Sequence, residues 1–169
     1  MKSAALVGVT HAHQYPGHPQ GRADLFGLFV KRHAQSAQPD LIAEEMSREA
    51  LAIAKVPHSS VENAAGSLRI KHLLCDPDAV ERKVLGIPSY AELKAARGIR
   101  HVFEAEEALL KADERSFWPI REREWLNRLA RVNHQSVFFV LGPDHVDSFA
   151  MLLQEAEYQV DIVSRRWAG

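Results

Sequence analysis

Val137-Phe138-Phe139-Val140-Leu141-Gly142-Pro143-Asp144-His145 is an apolar run, a glycine and, three residues beyond it, a histidine. The run reads as a buried strand. The same order stands near the other end of the chain, in Ala4-Ala5-Leu6-Val7-Gly8-Val9-Thr10-His11. A glycine closing a strand lets the backbone turn where a side chain would obstruct it, so each histidine is expected at a strand's carboxyl end. With the two strands parallel in one sheet, His11 and His145 face the same crevice, where open α/β sheets hold their ligands.

Further strands follow from the segments between these two. Leu41-Ile42-Ala43 leads into Glu44-Glu45, and Arg69 to Cys75 is ended by Asp76-Pro77-Asp78. Tyr158 to Ile162 alternates apolar and polar residues, as an edge strand does. Helices are expected over Asp24 to Ala34, with Leu25, Leu28 and Phe29 on one side, and from about Ser47, although Asp40 to Lys55 also reads as one helix. Ser60 is placed to cap a short helix through Ala65, and Val80 to Leu85 is closed by Gly86 and Pro88. Pro119 sits in the first turn of a helix to Val132, and Asp144 or His145 starts another, carrying Phe149, Leu152 and Leu153. Ser89 to Ala112 is helical and polar, interrupted at Gly98, and residues 86–115 read as an insertion or a lid. Strands alternating with helices predict one α/β domain over residues 1–169, with a mainly parallel sheet of about five strands flanked by helices.

Composition narrows the function classes. Lys plus Arg number 21 against 22 for Asp plus Glu, so no global attraction to nucleic acid or to an anionic membrane follows. Met1 to Gly8 is too short an apolar stretch for a signal peptide, and no segment reaches the roughly 20 apolar residues of a membrane helix. Cys75, the single cysteine, excludes an internal disulfide and agrees with a reducing compartment. A cytoplasmic location is expected. Cys75 itself has no activating neighbour in sequence and reads as a buried thiol. No phosphate loop, dinucleotide fingerprint or Gly-x-Ser-x-Gly elbow is present.

The candidate chemistry lies in histidines, carboxylates and one arginine. On an extended backbone, the imidazoles of His11 and His13 converge on one metal; otherwise His13 is a solvated loop residue. Adjacent carboxylates on a strand point to opposite faces, so one of Glu44 and Glu45 joins the crevice. Glu45 shares its side with Leu41 and Ala43, and a carboxylate ending a buried face needs a partner or a cation. A solvated pair at a helix start is the alternative. Arg121-Glu122-Arg123-Glu124 looks like a charged surface. At about 100° per residue, however, Glu122 falls between Trp125 and Leu129 on the apolar face, with Arg121 at its border. Asp76 is a third acidic candidate, or simply a turn residue before Pro77.

Taken in order, these islands resemble the TIKI/TraB superfamily, which includes erythromycin-esterase-like and ChaN-like proteins. The islands are Gly8-x-x-His11, a carboxylate after the second strand at Glu45, Arg121-Glu122-x-x-Trp125-Leu126, and Gly142-x-x-His145. The chain has Glu122 where that family usually has Asp or Asn, and it is shorter than most members. His11-Ala12-His13 is also similar to the first-strand motif of amidohydrolase barrels, but 169 residues is short for eight strands and eight helices. The superfamily resemblance implies an α/β fold with these groups in one pocket; some members are metal-dependent peptidases, some esterases, and one branch binds haem.

The leading expectation is therefore a small hydrolase acting on a peptide, ester or amide bond. In it His11 and His145, with His13, hold a divalent ion such as manganese or zinc. Glu45 is a ligand or the general base for a water, Arg121 stabilises the oxyanion, and Glu122 orients it. A metal-free form uses histidine and glutamate directly as acid and base. The alternatives are a non-catalytic module binding haem or a small metabolite, and a metal-dependent phosphoesterase. The expected partner is a small-molecule or peptide substrate; a homo-oligomer is compatible with the sequence.

Overall fold

A computed structural model describes residues 1–169. Strands β1 (Lys2–Gly8), β2 (Leu41–Glu44), β3 (Lys71–Leu74), β4 (Ser136–Leu141) and β5 (Tyr158–Ser164) form one five-stranded sheet in the order β3-β2-β4-β1-β5. Every neighbouring pair is parallel. The helices are α1 (Ala23–Ala37), α2 (Arg48–Ile53), α3 (Ser60–Leu68), α4 (Ala79–Val84), α5 (Tyr90–Ala96), α6 (Glu104–Arg115), α7 (Trp118–Ala130) and α8 (Val146–Glu155). None is long and apolar enough to cross a membrane.

Strand alternation divides the core between two faces. Leu6, Leu41, Ala43, Phe139 and Leu141 pack with Trp125 and Leu129 of α7 and with Phe149 and Leu153 of α8. Val7, Ile42, Phe138 and Val140 pack on the other side with Phe26, Val30 and Ala34 of α1 and with Val61, Ala64 and Ala65 of α3. Strands buried on both faces read as continuous apolar runs, which is why β4 has no polar residue between Val137 and Leu141.

The connections place the crevice. β1 and β4 are neighbours, but α1, which follows β1, covers one face, while α8, which follows β4, covers the other. The chain therefore leaves the two adjacent strands in opposite directions. Such a point of divergence leaves a gap at the strands' carboxyl ends.

Several local expectations change. On α1 the buried stripe is Phe26, Val30 and Ala34, while Leu25 and Leu28 lie half exposed. The small residues Ala23 and Gly27 decide this phase: Gly27 faces Ser60 of α3, where only a small residue lets the helices approach. Ser59, not Ser60, caps α3, accepting from the Glu62 amide. The helix expected from about Ser47 does form, with Ser47 as the cap of α2, and the alternative of one helix over Asp40 to Lys55 does not. Residues 86–115 form a helical hairpin in which Tyr90 donates to Glu107 and Arg97 pairs with Asp113. Ile87 and Leu110 are its buried residues.

Gly8 is needed for closeness rather than for turning. It has no left-handed backbone angle, but a Cβ there would stand 2.0 Å from the Arg165 carbonyl oxygen. The segment after β5 crosses at that point, its Trp167 amide donating to the Gly8 carbonyl at 2.8 Å. Gly8→Ala should therefore destabilise the fold by about 1–3 kcal/mol, as overpacking does. By contrast, Gly66 lies on the exposed side of α3 with nothing within 4 Å of an added Cβ. Gly66→Ala should stabilise by about 0.5–1 kcal/mol through helix propensity. Urea unfolding of the two variants measures both signs.

Candidate functional site

After β1 the chain makes a single 3-10 turn over His11–His13. A 3-10 turn advances one residue per third of a revolution, so side chains two apart diverge. His11 faces the crevice. His13 turns away: its Nδ1 accepts the Arg22 amide at 2.9 Å, and its ring meets the edge of Trp167. The His-x-His convergence expected for an extended backbone does not form.

Glu45 is buried at the end of β2 and is engaged at both oxygens. Oε1 accepts Arg121 Nη2 at 2.8 Å, and Oε2 accepts the Gly142 amide at 2.6 Å. Gly142 belongs there because an added Cβ would lie 3.1 Å from Oε2. The Nε2 atoms of His11 and His145 approach Glu45 Oε1 to 3.9 and 3.8 Å. His11, Glu45, Arg121 and His145 thus meet at the carboxyl edge of the sheet.

Arg121 is held from its other side by Asp76, the residue after Cys75. Asp76 Oδ1 accepts Arg121 Nε at 3.1 Å, Arg121 Nη2 at 2.8 Å and Trp125 Nε1 at 3.2 Å, and Oδ2 accepts Arg82. Burial alone would raise the Asp76 carboxyl, but Arg121 and Arg82 outweigh it and hold Asp76 below the usual carboxylate range. Burial alone would lower Arg121, yet Glu45 and Asp76 keep it more firmly charged than a free guanidinium. Cys75 is fully buried and inert, its thiol pushed up by burial.

Glu122 lies one residue further along α7 and faces inward, as the helical projection requires. Its Oε1 accepts His145 Nδ1–H at 2.7 Å and the Ser148 hydroxyl at 2.6 Å. The His145 ring is flanked by Trp118 and Trp125, with ring centroids 4.2 and 5.0 Å away. With Nδ1 committed to Glu122, Nε2 is the nitrogen left for chemistry.

Glu44 points to the opposite face, as alternation demands, but it is not solvated. It is fully buried and accepts from Gln14 Nε2 at 2.8 Å, from Ser59 Oγ, and from His72 Nε2 at 2.9 Å. Sequence reasoning did not assign these partners. His72 was findable: it stands in register with Ile42, on the same side of the sheet as Glu44. Gln14 and Ser59 sit on loops and carried no such signal.

The crevice is a cleft of about 470 Å³ lined by His11, Glu45, Trp118, Arg121, His145 and Arg166 among others. A second hollow of about 590 Å³ adjoins it and shares Arg82, Glu114 and Arg121 as a wall. As a metal cage the donor set does not fit. No three His, Cys, Asp or Glu side chains converge closely enough to hold an ion. The one oxygen facing both imidazoles already carries the Arg121 charge at 2.8 Å. In this arrangement Glu45 and His145 stand in a network of hydrogen bonds and ion pairs, with His11 at its edge, and His13 lies apart from them. Compared with protein-family models, with curated proteins and with solved structures, the chain shows no match.

The Asp76 ion pairs set an acid limit. Because the folded carboxyl lies below its unfolded value, its stabilisation is complete above the unfolded value and is lost as pH falls through the folded one. Asp76→Asn should cost about 3–5 kcal/mol at neutral pH, as breaking a buried pair does. It should also flatten the acid arm of the stability profile. Urea unfolding from neutral to acid pH reads both effects.

Proposed function

We propose that the cleft is the active site of a hydrolase that adds water across a peptide, ester or amide bond. The reading rests on the buried Glu122–His145 pair: a carboxylate fixes Nδ1–H at 2.7 Å while Nε2 opens to the cleft. An imidazole oriented in this way is a general base for water and then an acid for the leaving group. His145 Nε2 takes a proton from the water as its oxygen attacks the carbonyl carbon. Glu122 stabilises the imidazolium that results, and the same proton passes to the departing amine or alkoxide.

The other groups take supporting roles. His11 Nε2 accepts the second hydrogen of the water and orients it. Arg121 Nη1 makes no bond within the network, and no buried polar side-chain atom is left unpartnered, so its hydrogens reach solvent along the wall that the cleft shares with the adjoining hollow. They are donors for the oxyanion. Glu45 has both oxygens engaged and anchors Arg121 and Gly142 instead of acting as the base. The motif order shared with the TIKI/TraB superfamily supports acyl chemistry. Arg82, Arg121 and Arg166 are each paired with a carboxylate, which weighs against a phosphate ester as substrate. Only two of the 13 lining residues are hydrophobic, which weighs against haem.

The test is hydrolysis of a panel of activated esters and aminoacyl and peptidyl amides by chelator-treated protein. Turnover should persist after chelation, and His145→Ala and Glu122→Gln should each lower kcat/KM by about 10²–10⁴-fold with folding checked by circular dichroism. Activity lost on chelation and restored by manganese or zinc would put a divalent ion between the histidines. Absence of turnover across the panel would leave the cleft as a ligand-binding site.

A further inference from the structure

The Glu44 cluster lies on the far face of the sheet from Glu45, and the mechanism above does not use it. One thread leads out of it to the cleft. Gln14 Nε2 donates to Glu44 Oε2 at 2.8 Å, and Gln14 Oε1 lies 2.9 Å from His11 Nδ1. Both Gln14 and Glu44 are fully buried, so neither has water as an alternative partner.

We propose that Glu44 is a positioning residue that acts through Gln14 to put the proton of His11 on Nδ1, leaving Nε2 bare toward the cleft. A carboxylate only accepts, whereas an amide has a donating end and an accepting end. Glu44 therefore draws the NH2 end of Gln14, and the oxygen end is left for His11. An amide oxygen cannot donate, so His11 Nδ1 must carry the hydrogen. Glu44 is itself held in place: its other oxygen takes the Ser59 hydroxyl and His72 Nε2, side chains from the α3 cap and from β3. The order carboxylate, amide, imidazole thus transmits one proton preference across the sheet edge. An unconstrained histidine prefers the hydrogen on Nε2, so the effect runs against the ring's own tendency.

The consequence for catalysis, an Nε2 able to accept a hydrogen of the attacking water, rests on the hydrolase reading. The tautomer does not, and it can be measured without a substrate. Long-range proton–nitrogen correlation spectra of 15N-histidine-labelled protein, at a pH where the ring is neutral, report which nitrogen of His11 is protonated. The wild type should show a protonated Nδ1 and a bare Nε2. Gln14→Leu removes the acceptor and should return His11 to the Nε2–H form. Gln14→Glu, protonated between Glu44 and His11, keeps a donating end and an accepting end and should retain Nδ1–H. Glu44→Gln, which can donate as well as accept, lets the Gln14 amide turn and should reduce the Nδ1–H excess. An Nε2–H ring in the wild type, or an unchanged ring in Gln14→Leu, overturns the proposal. An Nε2–H ring in the wild-type spectrum overturns it even where a variant fails to fold. If the protein proves to hydrolyse nothing while these spectra come out as expected, the hydrolase reading fails and the tautomer relay stands.

Discussion

Arg121 brings a full positive charge to the carboxyl edge of a sheet whose strands are apolar on both faces, and the rest of the site is arranged around that charge. Asp76 and Glu45 grip it from two sides, each at 2.8 Å. A buried charge is tolerated only when it is paired and its remaining hydrogens are used. Asp76 follows β3, Glu45 follows β2 and Arg121 lies on α7, so the ion cluster ties two strand ends to a helix. Through the second oxygen of Glu45 it also takes the Gly142 amide, which adds the end of β4. Three neighbouring strands are thereby fixed to one another where the cleft opens. His145, three residues beyond Gly142, inherits its position from that arrangement.

The pair Glu44-Glu45 shows how alternation shares polar work between the faces of a sheet. Adjacent residues on a strand cannot both serve one site. Glu45 belongs to the face of α7 and α8 and anchors the ion cluster. Glu44 belongs to the face of α1 and α3 and gathers Gln14, Ser59 and His72. Both sites sit at the end of the short strand β2, Glu45 against Arg121 and the Gly142 amide, and Glu44 one hydrogen-bonded step, through Gln14, from His11. A polar network in a low-dielectric setting is rigid when every member is satisfied, and no buried polar side-chain atom here lacks a partner.

Much of this was legible in the chain. The apolar runs before Gly8 and Gly142 marked β1 and β4, alternation separated Glu44 from Glu45, and helical phase turned Glu122 inward against its charged neighbours. These are local periodicities, and burial enforces them. The failures share a different origin. His13 takes the loop alternative because the chain turns helically after β1, and a spacing of two means convergence only on an extended backbone. The buried stripe of α1 was misjudged because Leu25 and Leu28 are the larger apolar residues, while the contact with α3 selects for small ones at Ala23 and Gly27. Its place at a strand end suggests that Gly8 serves a turn, but it is demanded by a chain segment more than 150 positions away, which no local pattern encodes.

By itself the sequence determined the fold class, the parallel strands and the strand-end address of His11, Glu45 and His145, because side-chain period and apolar burial are properties of neighbouring residues. Only the tertiary structure decided the strand order, which makes β1 and β4 adjacent with their helices on opposite faces. It alone also decided who pairs with whom. Asp76 with Arg121, Glu122 with His145 and Gln14 with both His11 and Glu44 are contacts between groups whose partners are set by distance in space. The cleft's chemistry depends on those pairings, since a hydrogen bond on one ring nitrogen settles what the other can do.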